Sequence, residues 1–287
     1  MEREVEGLAP LELSEFVDRV LKEDLGAGGD ITSVATVSID ACLCGAIVAR
    51  QPLTLAGVGV AAAFFRRLDP GVRIAKLAAD GAALAPGAQV LRVEGQARAL
   101  LAAERSALNT LAHLSGIATM AGTYAKAIEG TGCTLLDTRK TVPGLRSLAK
   151  YAARVGGAQN HRMRLDDGIL IKDNHIAVAG NVRAAVAAAE AARLPTDIQV
   201  EVDEVEQIEE ALAAGADSIL CDNMALEDLR RAVELVRGRV PIEASGGVRL
   251  GTIRTIALTG VTYVSVGRIT QSAPAVDLGL DYIAGPA

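Results

Sequence analysis

An α/β fold with a parallel, barrel-like sheet is what this sequence predicts, and two observations predict it. From about Cys133 onward, short apolar runs alternate with helical segments, and each run-plus-helix unit spans about 20–30 residues. Nearly every one of those runs ends in charged, polar or glycine residues, the arrangement by which β/α barrels build sites at the C-terminal ends of their strands. The runs are Cys133–Leu136, Ile169–Ile171, Ile198–Val202, Ser218–Cys221, Pro241–Ala244 and Thr262–Val266. Helical segments lie between them at Leu145–Arg154, Val182–Ala192, Glu204–Ala214, Leu226–Val236 and Thr252–Leu258. Glycines after Ala214 and Thr259 suit helix C-termini. Six strands suit barrel-like closure better than a flat sheet, and an open doubly wound sheet is the alternative.

The first part of the chain, to about Gly95, lacks this rhythm. Leu11 to Leu25 reads as an amphipathic helix ended by Gly26, and Val58 to Leu68 as a second helix. Ala41–Ala49, Val72–Leu77 and Val90–Val93 read as strands, with Gly and Pro between them, giving a small α/β layer domain. A long helix is expected from Ala97 to about Leu114. Its apolar stripe takes in Leu101, Leu108 and Ala112, and Arg105 projects from that stripe, either as a snorkelling side chain or aimed into a pocket or subunit interface.

Composition narrows the function. The 287 residues carry a net charge of −6, against a general nucleic-acid binder. The absence of Trp, with only three Phe and four Tyr, argues against base-stacking platforms. No apolar run reaches the ~18–20 residues of a membrane helix, and the charged Met1–Glu6 start does not resemble a secretion signal, so a cytoplasmic protein is expected. The four cysteines (Cys42, Cys44, Cys133, Cys221) form neither a CxxC pair nor a Cys/His cluster and are expected to be buried free thiols.

The strand ends carry Asp137-Thr138-Arg139-Lys140, Lys172-Asp173-Asn174-His175, Glu201 with Asp203, Asp222-Asn223, Ser245-Gly246-Gly247, and Gly267-Arg268. Arg139, Lys140, Arg162 and Lys172, with His161 nearby, make a cationic cluster suited to carboxylates and phosphates. Glu201, Asp203 and Asp222 make an anionic side that suits Mg²⁺ or a developing positive charge. Glycines on the last two strands let backbone N–H groups approach a phosphate. Together they suit a multiply anionic substrate reacting with a magnesium-bound phosphate compound; mutual ion pairing for stability is the plainer alternative.

Asp137-Thr138-Arg139-Lys140-Thr141-Val142-Pro143-Gly144-Leu145-Arg146 closely resembles the hallmark segment of the quinolinate phosphoribosyltransferases. Asn160-His161-Arg162-Met163, Leu170–His175, Glu201-Val202-Asp203, Cys221-Asp222-Asn223 and Ser245-Gly246-Gly247-Val248 match further segments in order, and Glu23–Gly26 with Gly29–Thr32 is similar to the family near the N-terminus. The resemblance implies an N-terminal α/β sandwich domain over 1–114, an open barrel of about six parallel strands over 115–270, and a tail, 271–287, packing back on the first domain. It implies conversion of quinolinate and phosphoribosyl pyrophosphate, with Mg²⁺ and no organic cofactor, to nicotinate mononucleotide, pyrophosphate and CO₂, by a dimer or larger homo-oligomer.

By the same resemblance, Thr138, Arg139, His161, Arg162 and Lys172 would line the quinolinate pocket, with Arg105 reaching in from a neighbouring subunit. Lys140, Glu201 and Asp222 would be the catalytic groups serving phosphoribosyl pyrophosphate and its magnesium, Glu201 and Asp222 directly or through substrate or water. Ser245, Gly246, Gly247, Val266, Gly267 and Arg268 would bind substrate phosphate. Ala158-Gln159, Arg164, Arg268 and Gln271 depart from the family pattern. Three rivals are a nicotinate-specific or molybdenum-transport paralogue, disfavoured by the paired Arg139 and Arg162; a Schiff-base aldolase using Lys140 or Lys172, which needs no carboxylate trio; and a binding barrel without activity.

Overall fold

The structure is a computed structural model that describes residues 10–283, so Met1–Glu6 lies outside the described residues, as does the end of the 271–287 tail. The chain divides into two compact units.

The first unit takes residues up to Met120, then Ser147–Gly156 and the stretch from Ala273 onward. It contains α1 (Pro10–Leu25), α2 (Ile31–Thr36), β1 (Cys42–Ala49), β2 (Leu53–Thr54), α3 (Val58–Leu68), β3 (Arg73–Lys76), β4 (Ala83–Leu84), β5 (Gln89–Gln96) and most of the helix α4 (Ala97–Ala127). Helix α1 ends at the expected Leu25 and begins one residue earlier than expected, and α3 spans the residues the sequence predicts. An antiparallel sheet forms in the order β12-β1-β5-β3, where β12 is Leu278–Tyr282, and β2 pairs with β4 beside it. Phe64, Phe65, Ile47, Leu55 and Leu91 are fully buried, and Phe16 of α1 meets Phe64 of α3 edge-on with ring centroids 6.1 Å apart.

Helix α4 is 31 residues long, well past the expected Leu114. The reason is that its buried stripe does not stop: Leu100, Ala103, Ala107, Leu111, Leu114, Ala118 and Ala121 follow one another at helical spacing, all at most 4% exposed. This stripe also corrects the reading of Arg105. Of the expected stripe Leu108 is buried, but Leu101 and Ala112 are only half-buried, and Arg105 is exposed. Two residues from both Ala103 and Ala107, Arg105 points about 200° away from the packed face rather than out of it.

The second unit, Ala121–Arg146 with Gly157–Ser272, holds the parallel sheet. Its elements are β6 (Thr134–Leu136), β7 (Ile169–Ile171), α6 (Asp173–Ala179), α7 (Val182–Ala191), β8 (Ile198–Val202), α8 (Glu206–Ala213), β9 (Ser218–Asp222), α9 (Leu226–Val236), β10 (Ile242–Ser245), α10 (Leu250–Ala257), β11 (Tyr263–Ser265) and α11 (Arg268–Gln271). The helix between β6 and β7, α5 (Arg146–Val155), falls almost wholly in the first unit. The strand order is β6-β11-β10-β9-β8-β7, parallel throughout. From β7 to β11 each strand is laid beside its predecessor in one direction, whereas a doubly wound sheet reverses direction partway. Among the described residues β6 and β7 are not paired, so the barrel is open there. Gln159 bridges to the free side of β6, donating to Leu135 O (2.8 Å) and accepting from Asp137 N (3.0 Å).

One face of each central strand is apolar and packs on helices. Ile198, Val200 and Val202 of β8, Ile219 and Cys221 of β9, and Ile242 and Ala244 of β10 form a cluster with Val186 of α7, Ile208 of α8 and Leu229 of α9. Burying each large aliphatic here contributes about 1.5–3 kcal/mol. Because side chains alternate across a strand, Gln199, Glu201, Leu220, Asp222, Glu243 and Ser245 are left on the other face, toward the barrel interior.

Candidate active site

Alternation therefore explains why the site has its polar residues: the apolar half of each strand is spent on the helices, and the inward half is free to carry chemistry. Glu201 lies opposite Leu220, two residues before Asp222, and Asp222 lies opposite Ser245. The carboxylates of β8 and β9 thus share one face at the C-terminal end of the sheet, with the Ser245-Gly246-Gly247 turn beside them.

The cationic side forms at the end of β6 and around the 160–168 loop. Arg139 Nε is buried and has no hydrogen-bond partner. Arg162 donates through Nη1 to Gly168 O (2.6 Å). Burial lowers the pKa of Arg162 and the neighbouring Arg139 charge lowers it further, with Asp167 opposing. Two guanidinium groups are thus held close enough to repel each other, one with an unmet donor, an arrangement that favours an incoming anion. Arg146 supports this loop, donating to Thr141 Oγ1 (3.3 Å) and more weakly to Met163 O (3.4 Å).

Lys172 caps α6, a short helix not expected from the sequence, and its ammonium forms an ion pair with Glu201 Oε2. His175 Nδ1 accepts from Lys172 N (2.9 Å), fixing the turn that aims the lysine. Lys140 is exposed; its amide donates to Thr138 Oγ1 (3.0 Å), and Thr270 Oγ1 donates to its carbonyl (2.8 Å). A Cβ on Gly267 would stand 3.0 Å from Lys140 Cδ, so glycine lets the Lys140 stem lie against the last glycine loop. At Gly246 the backbone is left-handed (φ +87°), and a Cβ would come within 2.3 Å of Asn223 Oδ1. Asn223, itself at φ +54°, donates from Nδ2 to Asp222 Oδ2 (2.6 Å) and from its amide to Ser245 O (2.9 Å), tying the β9 and β10 ends together.

Glu201 and Asp222 are the two strand-end carboxylates on that face that could hold a divalent cation. Among the described residues no group of three or more His, Cys, Asp or Glu is arranged to hold a metal ion.

Beneath these groups lies a buried polar set whose roles sequence reasoning missed. Asp137 is fully buried and accepts from His161 N (2.9 Å) and Asn160 Nδ2 (2.5 Å). Glu243 is 1% exposed and accepts from Gln199 Nε2 (2.9 Å), while His161 Nε2 lies 3.3 Å from its carboxylate and 3.2 Å from Gln199 Oε1. Burial pushes the Glu243 pKa up, but the interaction with His161 and hydrogen bonds from Ser265 and Gln199 outweigh it and hold the group below its usual value. The available signal was a charged residue inside an apolar strand run, Pro241–Ala244.

The structure gathers Thr138, Arg139, Lys140, His161, Arg162, Lys172, Glu201, Asp222, Ser245, Gly246, Gly247 and Gly267 in the second unit. Arg105 belongs to the first unit. Val266 is buried with its amide donating to Leu136 O (3.0 Å), and Arg268 is exposed at the start of α11. All four cysteines are free thiols; Cys44 and Cys221 are buried, but Cys42, at the first position of β1, is exposed. Burial pushes the half-buried Cys133 thiol up to about 11 and the buried Cys221 thiol up to about 12, which keeps both protonated near neutrality.

Comparison with known proteins identifies the family. Residues 117–281 match the family described as quinolinate phosphoribosyl transferase, C-terminal domain, and residues 30–115 match its N-terminal domain. The chain is 43% identical over 272 residues to the nicotinate-nucleotide pyrophosphorylase (carboxylating) of Mycobacterium leprae, covering 93% of this chain and 96% of that one. It is 39% identical to a probable enzyme of the same name from Bacillus subtilis, over 94% and 93%. The solved nicotinate-nucleotide pyrophosphorylase of Francisella tularensis superposes with a TM-score of 0.92 at 37% identity, covering 96% of this chain and 98% of that one. The chain belongs to the quinolinate phosphoribosyltransferase family.

Proposed function

We propose that the protein transfers the phosphoribosyl group of phosphoribosyl pyrophosphate to quinolinate with decarboxylation, forming nicotinate mononucleotide, pyrophosphate and CO₂, a step of NAD biosynthesis. The observation that carries this reading is the Arg139–Arg162 pair: two like charges that oppose each other, one with an unmet buried donor. A substrate with two adjacent carboxylates relieves both the repulsion and the unmet donor. Lys172, balanced by Glu201, adds the third positive group without leaving an isolated charge.

Pyrophosphate departs from a ribosyl carbon that becomes cationic, and Glu201 or Asp222 stabilises that carbon from the anionic wall. The pyridine nitrogen attacks it; the adjacent carboxylate then leaves as CO₂, and the electron pair left on the ring carbon, stabilised by the neighbouring positive nitrogen, takes up a proton from water to form the new C–H bond. Lys140 neutralises the departing pyrophosphate, and the backbone at Gly246, Gly247 and Gly267 approaches the 5′-phosphate. Mg²⁺, held by Glu201, Asp222 and substrate oxygens, would offset the charge of the leaving pyrophosphate. The chain otherwise works by positioning and electrostatics.

The finer reading extends to a homodimer or larger assembly in which Arg105 of one subunit completes the pocket of another, and to a cytoplasmic location. Among the described residues no helix is long and apolar enough to cross a membrane. The test of function is turnover of quinolinate and phosphoribosyl pyrophosphate with Mg²⁺. One CO₂ and one pyrophosphate per nicotinate mononucleotide are expected; turnover of nicotinate without CO₂ would favour the paralogue reading instead.

A further inference from the structure

We infer that Glu243 is a positioning residue for substrate recognition, acting through Gln199 and His161 on the main chain that carries Arg162. This rests on the functional reading above, which places Arg162 against the substrate carboxylates.

The argument runs along one chain of hydrogen bonds. The Arg162 backbone N–H donates to His161 Nδ1 (2.8 Å). A backbone N–H can only donate, so Nδ1 carries no hydrogen, and the neutral ring holds its hydrogen on Nε2; this tautomer is assigned from the hydrogen-bond network. Nε2 faces the Glu243 carboxylate at 3.3 Å and Gln199 Oε1 at 3.2 Å, both acceptors. Gln199 is oriented in turn, because its Nε2 donates to Glu243 Oε2 (2.9 Å). Glu243 therefore selects the tautomer that the Arg162 amide needs.

The same segment is gripped from its other side by Asp137, which takes the His161 amide and the Asn160 side chain. Two buried carboxylates thus hold the three residues leading into the Arg162 guanidinium. Both ring nitrogens of His161 are engaged by the protein, so the ring acts on substrate by way of Arg162. Glu243 lies two residues before Ser245 on β10, one layer below the mouth. With Gln199, His161 and Arg162 it lines a cleft of about 370 Å³ whose other walls include Asp197, Ser218 and Pro241, at the N-terminal ends of the strands.

The test combines kinetics with the protonation site of one ring. The chain has three histidines, His113, His161 and His175, so ¹⁵N-histidine spectra are assigned by single substitution of the other two. We expect hydrogen on Nε2 of His161 in the native protein and loss of that fixed state in Glu243→Leu. In the same variant the quinolinate KM rises on the order of tenfold, the loss expected for one buried hydrogen-bond acceptor. The KM for phosphoribosyl pyrophosphate stays within about twofold, and Glu243→Gln, which keeps an oxygen acceptor in place, recovers most of the loss. Gln199→Leu moves the quinolinate KM the same way and stands in if Glu243→Leu does not fold. Hydrogen on Nδ1 in the native protein, an unchanged quinolinate KM, or equal rises in both KM values with a lowered melting temperature would each overturn the inference. A native protein that turns over no quinolinate defeats the functional reading, while the spectra still decide the relay.

Discussion

Replacing Arg139 with Met separates what the site does for the substrate from what it costs the fold. Met keeps most of the apolar length of the stem and removes the guanidinium. In the free protein that guanidinium is a liability: its Nε is buried without a partner, and its charge opposes Arg162. An unmet buried donor costs about 1–3 kcal/mol. Removing it, with a smaller contribution from the relieved repulsion, is expected to stabilise the fold by ~1–2 kcal/mol. The same change removes a charge-assisted contact to substrate, expected to cost more than about 3 kcal/mol of transition-state stabilisation, a factor of roughly 150 in kcat/KM. Urea unfolding and CO₂ release, measured on the same preparations, read the two effects. A variant that unfolds more easily by over ~1 kcal/mol while retaining near-native kcat/KM would refute the reasoning, because the arginine would then serve the fold.

Other outcomes follow from the same geometry. Gly246→Ala places a Cβ against Asn223 Oδ1 at a left-handed position, so the phosphoribosyl pyrophosphate KM should rise about tenfold and stability fall by about 1–2 kcal/mol, read by initial rates and thermal melting. Glu201→Gln weakens the ion pair with Lys172 and the stabilisation of the ribosyl cation, so kcat should fall by about 10²–10³ while quinolinate still binds, checked by pre-steady-state turnover and calorimetry. For Asp167, burial raises the pKa, but N–H donors from Arg164 and Met163 outweigh it and hold it below 3.8. A depressed folded pKa means its stability contribution is complete above the unfolded value and lost as pH falls through the folded one, so the stability difference between the native chain and Asp167→Asn should be flat near neutrality and shrink below pH 3.8. Arg105→Ala and Lys172→Ala, each inactive alone, should recover activity when their subunits are mixed; no recovery under proven exchange would remove Arg105 from the shared site.

The barrel was legible in the sequence because its signal is repeated. Alternation of apolar runs and helical segments located β7 at Ile169–Ile171, β8 at Ile198–Val202 and α9 at Leu226–Val236. The strand-end groups were readable for the same reason, since topology alone brings strand ends to one rim. Helix α6 was not readable, because its residues, Asp173 to Ala179, coincide with a polar motif and none is buried, so no apolar stripe marks it. Arg105 was placed on the wrong side of α4 because an alanine-rich helix offers several plausible stripes; burial selected the one through Leu100, Ala103 and Ala107. Glu243 and Gln199 escaped notice because their partners, His161 above all, are distant in sequence, and only the inward half of each strand brings them together.

The central claim is that paired guanidinium groups at the barrel mouth read a dicarboxylate. Calorimetric titration of quinolinate and nicotinate against the native protein and Arg139→Met tests it most directly. The account predicts that quinolinate binds at least about tenfold more tightly than nicotinate, ~1.4 kcal/mol or more, and that this advantage vanishes in the variant. Equal affinity for the two acids in the native protein, or a preference that survives loss of Arg139, would contradict it.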